Sequence, residues 1–303
     1  VSPTQDPALH RRGLLITAIG GLALSFDIPL IRSSQGDVWS VLAVRSLSTF
    51  LIAIAAWSVV RFLLKRRMAL IPGRAGIVAG AFYGINSLTF MLSVFNTTTA
   101  NVVFILAFTP MFAALLSWIF LGERPSRATL LTMAAMVAGV ALIVHDGLES
   151  GNIFGDAMAA CSACLLASAI TISRKSGANM GFVPLVTAII PGVAALFMLP
   201  DGVLQIERPA FILFDGLVLA PLAFWCLATG PRFLSAPEVG MFYLLETVLA
   251  PVWVWLIFAE RPSDQTLVGG SILIAALLAH SLWQMRSKAR AALLKGAAAE
   301  AAG

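Results

Sequence analysis

Ten stretches of about 20 mostly apolar residues follow one another along the chain, each long enough to cross a bilayer as a helix. They run from Arg12 to Ile31, Val38 to Leu63, Arg74 to Val94, Thr98 to Phe120, Ser126 to His145, Ile153 to Ser173, Gly181 to Leu199, Ala210 to Gly230, Ser235 to Phe258 and Ser263 to Met285. Short polar or Gly/Pro-marked breaks separate them. Their length and their lack of strict alternation exclude a barrel of strands. The expected fold class is therefore an all-α integral membrane protein with ten transmembrane helices.

Composition agrees with this reading. Hydrophobic residues make up 59% of the 303 and charged residues only 12%, against about 25% charged in a soluble domain. A soluble enzyme, a disordered chain and a nucleic-acid binder are excluded. No joining segment is long enough for a separate domain in water, so function must sit among the helices. His10, Arg11 and Arg12 imitate the basic start of a signal peptide, but the apolar stretch is too long and nine more follow, so it is read as a retained helix.

The net charge of +5 could suggest a polyanion partner until the charges are located. Counting from an inside N-terminus, sixteen of the twenty Lys and Arg fall on the inner side, Arg32, Arg208 and Arg261 on the outer side, and Arg45 within a span. Cytoplasmic loops retain positive charge during insertion, so both termini are expected to be cytoplasmic.

An internal repeat organises the chain. Leu121-Gly122-Glu123-Arg124-Pro125-Ser126 recurs 137 residues later as Phe258-Ala259-Glu260-Arg261-Pro262-Ser263. Each copy lies between the fourth and fifth helices of a five-helix half. Because five is odd, the two halves have opposite orientations, the architecture in which secondary transporters build a midplane site. The expected units are residues 1–147, the inverted repeat 148–286, and a cytoplasmic tail 287–303. The repeated turns themselves read as helix starts, with Ser126 and Ser263 as N-caps.

Thr109-Pro110-Met111-Phe112-Ala113 running into Gly122-Glu123, and Leu245-Glu246 running through Pro251 into Ala259-Glu260, resemble the drug/metabolite transporter superfamily. Within it the chain is similar to ten-helix EamA-type carriers, and among these to bacterial amino-acid exporters of the YddG type. The second motif departs from the family pattern: Thr247 follows Glu246 where proline is usual, the proline is displaced to Pro251, and Ala259 replaces glycine. The resemblance implies a monomeric or homodimeric carrier in the inner membrane. It implies a central cavity lined by the third, fourth, eighth and ninth helices, and gating by the first, second, sixth and seventh.

An ionisable side chain within a span costs about 2.5–3.5 kcal/mol on insertion scales and normally faces a cavity or a partner. Glu246, twelfth of the twenty-four residues from Ser235 to Phe258, is expected near the midplane. It is read either as the group that attracts a substrate ammonium or as a protonated packing residue. Asp27 and Arg45 lie at depths that differ by only about 5 Å and are expected to pair, as an outer gate or as a permanent salt bridge. His280 is a weaker candidate on the tenth helix.

Tyr83, Asn86, Ser87, Asn101, Thr109, Trp225 and Tyr243 are the polar and aromatic residues expected at matching depth, lining a pocket with Glu246 or packing between helices. An acid with an aromatic wall suits an amino acid or a flat cation. Pro29, Pro110, Pro191, Pro221 and Pro251 are expected helix kinks, each freeing a carbonyl. Gly76, Gly80 and Gly84 allow close helix approach. Cys161, Cys164 and Cys226 read as small buried residues rather than redox or metal groups.

The sequence contains no phosphate loop and neither His-Glu-x-x-His nor Gly-x-Ser-x-Gly, so neither ATP-driven transport nor an intramembrane enzyme is expected. No cofactor or metal is expected, and no nucleic acid. The expected partners are the lipid bilayer and a small-molecule substrate, an amino acid or related metabolite exported by alternating access. Export of cationic aromatic drugs is the alternative.

Overall fold

The computed structural model describes residues 7–63, 65, 69–122, 152–178, 180–229 and 236–259, with shorter pieces between 130 and 142 and between 261 and 283. Among the described residues the chain is helical, and the sole β feature is an isolated antiparallel bridge between Gly36 and Ile206. Helices are forced on such a sequence because, in hydrocarbon, each backbone N–H and C=O must pair within its own segment. The elements are α1 (Pro7–Leu24), α2 (Asp27–Ser33), α3 (Val38–Ser58), α4 (Gly73–Asn96), α5 (Thr99–Leu106) and α6 (Thr109–Leu121). After these come α7 (Ile153–Ser176), α8 (Val183–Val186), α9 (Ile189–Phe197), α10 (Pro209–Phe214), α11 (Ala220–Thr229) and α12 (Ala236–Phe258).

Six helical segments are long and apolar enough to span a membrane: Arg11–Ser33, Val38–Leu63, Gly73–Asn96, Thr99–Phe120, Ile153–Ser173 and Pro209–Thr229. Shorter apolar helices cover Leu130–Gly139, Val183–Phe197, Leu245–Phe258 and Leu267–Ala276. Leu51, Ile77, Phe197 and Leu256 are all more than three-fifths exposed, the surface expected of a chain solvated by lipid. Hydroxyls within the spans donate to their own helix backbone, as Thr17 does to the Gly13 carbonyl and Thr171 to that of Ala167, each at 2.8 Å.

Helix breaks fall just before prolines. The α-helix stops at Ser25–Phe26 ahead of Pro29, at Ala107–Phe108 ahead of Pro110, and at Thr187–Ala188 ahead of Pro191. A proline removes one helix hydrogen bond and crowds the carbonyl four residues back. At Pro110 that carbonyl belongs to Leu106, and the Thr109 hydroxyl donates to it at 2.6 Å. A π turn at Asp215–Leu219 precedes Pro221, whereas Pro251 lies inside the uninterrupted α12.

The packing follows a regular scheme. α4 lies against α7, α1 against α11, α3 against α9, and α5 against α12, while α7 also meets α5 and α6, and α12 also meets α1 and α2. On α7, Gly155, Ala159, Ala163, Ala167 and Thr171 recur every fourth residue and are all buried. A Cβ on Gly155 would meet the backbone carbonyl group of Asn96. Of the glycines expected to bring helices together, Gly80 and Gly84 face Thr187 and Ile190, while a Cβ on Gly76 would meet Pro72 and Ile71 just ahead of its own helix. Cys226 is buried, but Cys161 and Cys164 are exposed, which corrects the expectation for these two: they lie on the outward side of α7, off the alanine stripe.

The ends of α6 and α12 share a conformation. Gly122 and Ala259 both take left-handed backbone, at φ +70° and +55°, and their N–H groups donate to the carbonyls of Trp118 and Trp255 at 3.1 and 2.9 Å. The Glu123–Ser126 turn lies outside the described residues, as do Glu260 and the tail beyond 283.

Two outcomes follow for stability in detergent. Ala163→Leu should overpack the α7 seam and cost about 1–3 kcal/mol, while Cys164→Leu on the exposed face leaves the melting temperature unchanged. Ala259→Gly should raise the melting temperature, because a Cβ in left-handed backbone costs about 1–2 kcal/mol.

Candidate functional site

Arg45, on the third turn of α3, is the centre of a buried ion cluster. Its Nη2 donates to Asp27 Oδ1 at 2.8 Å and to Oδ2 at 2.9 Å, and its Nε donates to Asp215 Oδ2 at 2.8 Å. Exposure is 4% for Arg45, 2% for Asp27 and 0% for Asp215. The ring of Phe224 lies 5.9 Å from the guanidinium carbon and closes one face of the cluster. A planar guanidinium presents donors in a fixed fork, which is what allows one cation to hold two carboxylates at once.

Local structure presents each group. The break before Pro29 makes Asp27 the first residue of α2. The π turn makes Asp215 its first residue, and the next residue has to be glycine: a Cβ on Gly216 would collide with Ser48 Oγ and come within 2.7 Å of the Arg45 carbonyl. Thr49 then donates to the Gly216 carbonyl at 3.0 Å. On one side of the cluster the chain ties two loops together. Asp37 N–H donates to Gln205 O at 3.1 Å, Gln205 N–H to Ser40 Oγ at 2.8 Å, and Arg208 N–H to Ser34 O at 3.0 Å. Phe26, beside Asp27, stacks on Trp253 of α12 at 4.8 Å, and Trp253 Nε1 donates to Ser25 Oγ.

Glu246, on α12, is half-buried and lies within electrostatic reach of both Asp27 and Arg45. Several of the remaining candidates bond to other partners. Asn86 accepts from Ser162 at 2.7 Å and Tyr83 bonds to Ser173, so both reach α7. Asn101, 1% exposed, donates to Asp156, which also accepts from Thr97 at 2.7 Å. Thr109 is bound to the Leu106 carbonyl, Ser87 is half-buried, and Trp225 is 40% exposed. The Tyr243 side chain and His280 lie outside the described residues. A hollow of about 390 Å³ lies between Phe26, Leu30, Phe211 and Phe258, and neither Arg45 nor Glu246 lines it.

Asp215 and Asp156 were not among the sequence candidates. Both stand inside expected spans, as the sixth and fourth residues, and the rule that singled out Asp27 applies to them equally.

Comparison with known proteins agrees with this architecture. The profile of the EamA-like transporter family matches residues 11–145 and again 153–282. The chain is 24% identical over 284 residues to a pseudopaline exporter, CntI, of Pseudomonas aeruginosa (strain UCBPP-PA14), covering 90% of this chain and 97% of that protein. It has the same identity and coverage with the counterpart in strain PAO1. A solved crystal structure superposes with a TM-score of 0.64 at 17% identity, covering 90% of this chain and 98% of the other, a likeness of fold.

The cluster sets an unequal order of losses. Arg45→Gln leaves two buried carboxylates without their cation and should cost about 3–5 kcal/mol of stability. Asp27→Asn leaves the Arg45–Asp215 pair and should cost less, and Arg45→Lys should not restore the wild type because an ammonium lacks the fork. Thermal unfolding of the purified variants in detergent checks the order.

Proposed function

The chain belongs to the EamA-like transporter family, and from that premise we propose that it is a secondary transporter exporting amino acids, aromatic ones included, and related small metabolites across the inner membrane. The observation that carries the substrate reading is Glu246, a half-buried carboxylate within electrostatic reach of a cluster whose cation is already engaged by two acids. An incoming ammonium group finds an unshared partner there; a phosphate or sugar phosphate would want a free Arg or Lys. The pseudopaline exporters, similar over nearly their whole length, support export as the direction of transport. Tyr243, Tyr83, Asn86, Ser87, Asn101, Thr109 and Trp225 complete the proposed pocket, and Asp27 with Arg45 the proposed gate.

The mechanism we infer is alternating access by ten helices in two inverted halves, 1–147 and 148–286, with both termini cytoplasmic. Each of the ten expected spans overlaps one of the apolar helices. Exchanging the halves carries the α4–α7 contact onto the α11–α1 contact and returns α3–α9 and α5–α12 to themselves. Gly122 and Ala259, 137 residues apart, share one backbone conformation, and the family profile matches twice. These four observations support the inverted repeat, and the positive-inside count supports the orientation. A monomer or a homodimer satisfies the scheme.

The deciding experiment is uptake of a labelled amino-acid panel into liposomes containing the purified chain, against empty liposomes and Glu246→Gln. Saturable uptake that falls at least about tenfold in Glu246→Gln is expected, from loss of a charged hydrogen bond of about 1.5–3 kcal/mol. No uptake from folded wild type overturns the amino-acid reading and moves the assignment to cationic aromatic compounds, tested in the same vesicles.

A further inference from the structure

The cluster around Arg45 is one proton short of neutral. Two carboxylates and one guanidinium sum to one negative charge, in a region where Asp27, Arg45 and Asp215 are all almost wholly sealed from solvent. An unbalanced charge in such a place is expensive unless it is neutralised. Asp27 uses both oxygens on Arg45, and Asp215 uses Oδ2. The remaining Asp215 oxygen, Oδ1, is buried and finds no hydrogen-bond partner among the described residues. Arg45 Nε is shared between the two carboxyl groups, donating to Asp27 Oδ1 at 3.2 Å and to Asp215 Oδ2 at 2.8 Å, so both meet at one donor. Two carboxylates that close repel when both are ionised, and a hydrogen bond between them needs a proton on one.

We propose that Asp27 and Asp215, bridged by Arg45, form a binding site for one exchangeable proton, and that this proton is the coupling ion of the transport cycle. Loading forms one O–H bond at a carboxylate oxygen of the pair, with the proton taken from water on one side of the membrane. Unloading breaks that bond and returns the proton to water on the other side. The cluster charge moves between −1 and 0, and nothing is oxidised or reduced. The site is shared by α2, α3 and the π turn, so its charge acts on the contacts among three elements at once. Among the described residues, Glu246 on α12 also faces it, outside the hydrogen-bonded set. On α8, α9, α10 and α11 themselves the sole ionisable side chain is the Cys226 thiol on α11, while Asp201, Glu207 and Arg208 lie in the segment between α9 and α10. Arg74 on α4 and Arg11 and Arg12 on α1 lie at the far ends of their helices, and Arg32 of α2 donates to the carbonyls of Val94 and Thr97.

The coupling role rests on the transporter reading, whereas the proton site does not, and the test separates the two. Infrared spectra of the purified chain in a Glu246→Gln background are recorded across a pH series, following the carbonyl stretch of an undissociated carboxylic acid. A titrating band is expected, lost in Asp215→Asn and in Asp27→Asn, and displaced along the pH axis in Asp215→Glu, which keeps the acid should Asn impair folding. In liposomes of otherwise wild-type chain, the ratio of transport with and without a pH gradient is expected to fall to about one in Asp215→Asn. A band absent from the parent, or unchanged by substitution of both Asp27 and Asp215, overturns the site. A gradient ratio still well above one in Asp215→Asn overturns the coupling. Absence of any transported substrate would remove the transporter reading and leave the infrared result to decide the proton site.

Discussion

A single guanidinium in a low-dielectric interior organises this half of the bundle. Arg45 is committed to the membrane by its position in the second apolar span, and an unpaired cation there is tolerated only with acidic partners within reach. Both partners come from places where the helix is interrupted: Asp27 follows the break ahead of Pro29, and Asp215 opens the π turn ahead of Pro221. The breaks that free backbone groups also present the carboxylates. Gly216 then permits the approach, since any side chain there would strike Ser48. The energetic demand of one buried charge thus selects aspartate and proline at Asp27 and Pro29, and aspartate, glycine and proline at Asp215, Gly216 and Pro221, in two segments far apart in sequence.

The same economy governs the neutral polar residues. Inside hydrocarbon a hydroxyl or amide needs a partner, and most find one within their own helix or on the neighbour against which they pack. Thr109 repairs the carbonyl released by Pro110, and Asn86 meets Ser162 across the α4–α7 contact. Asn101 and Thr97 converge on Asp156 and fasten the α4–α5 connection to the start of α7. These bonds hold the α4–α7 half of the contacts with hydrogen bonds and small side chains, while the ion cluster holds α2, α3 and the π turn with charge. The two sets of contacts therefore differ in kind, with Asp156 the one buried carboxylate named in the first.

Much of this was legible in the sequence, and the boundary of legibility has a physical cause. Apolar length is a local property, so the spans could be read directly, and so could the candidacy of Asp27 and Arg45, whose depths can be counted from a shared short loop. Asp215 was missed because it sits near the end of its span, where a charged residue reads as a boundary, and because its pairing with Arg45 is a contact across 170 residues that no local period announces. Tyr83 and Asn86 share a helix face, as their spacing requires, but spacing cannot say which neighbour that face meets; the alanine stripe of α7 decided it. Ala259 is the converse case. The departure from glycine was visible in the sequence, and the left-handed backbone persists despite the Cβ.

Placing Glu246 beside the cluster gives the charge count a consequence for transport. In the proposed cycle the cluster and Glu246 together hold three acids and one base, so two positive charges can be accommodated there: a proton on the Asp27–Asp215 pair and an ammonium at Glu246. Both lie within mutual electrostatic reach, which makes their occupancies interdependent by linkage, each weakening the other's binding by the same factor. A carrier whose cargo and coupling ion oppose each other in this way exchanges them rather than carrying them together. That is the direction export requires when protons are more abundant outside than in.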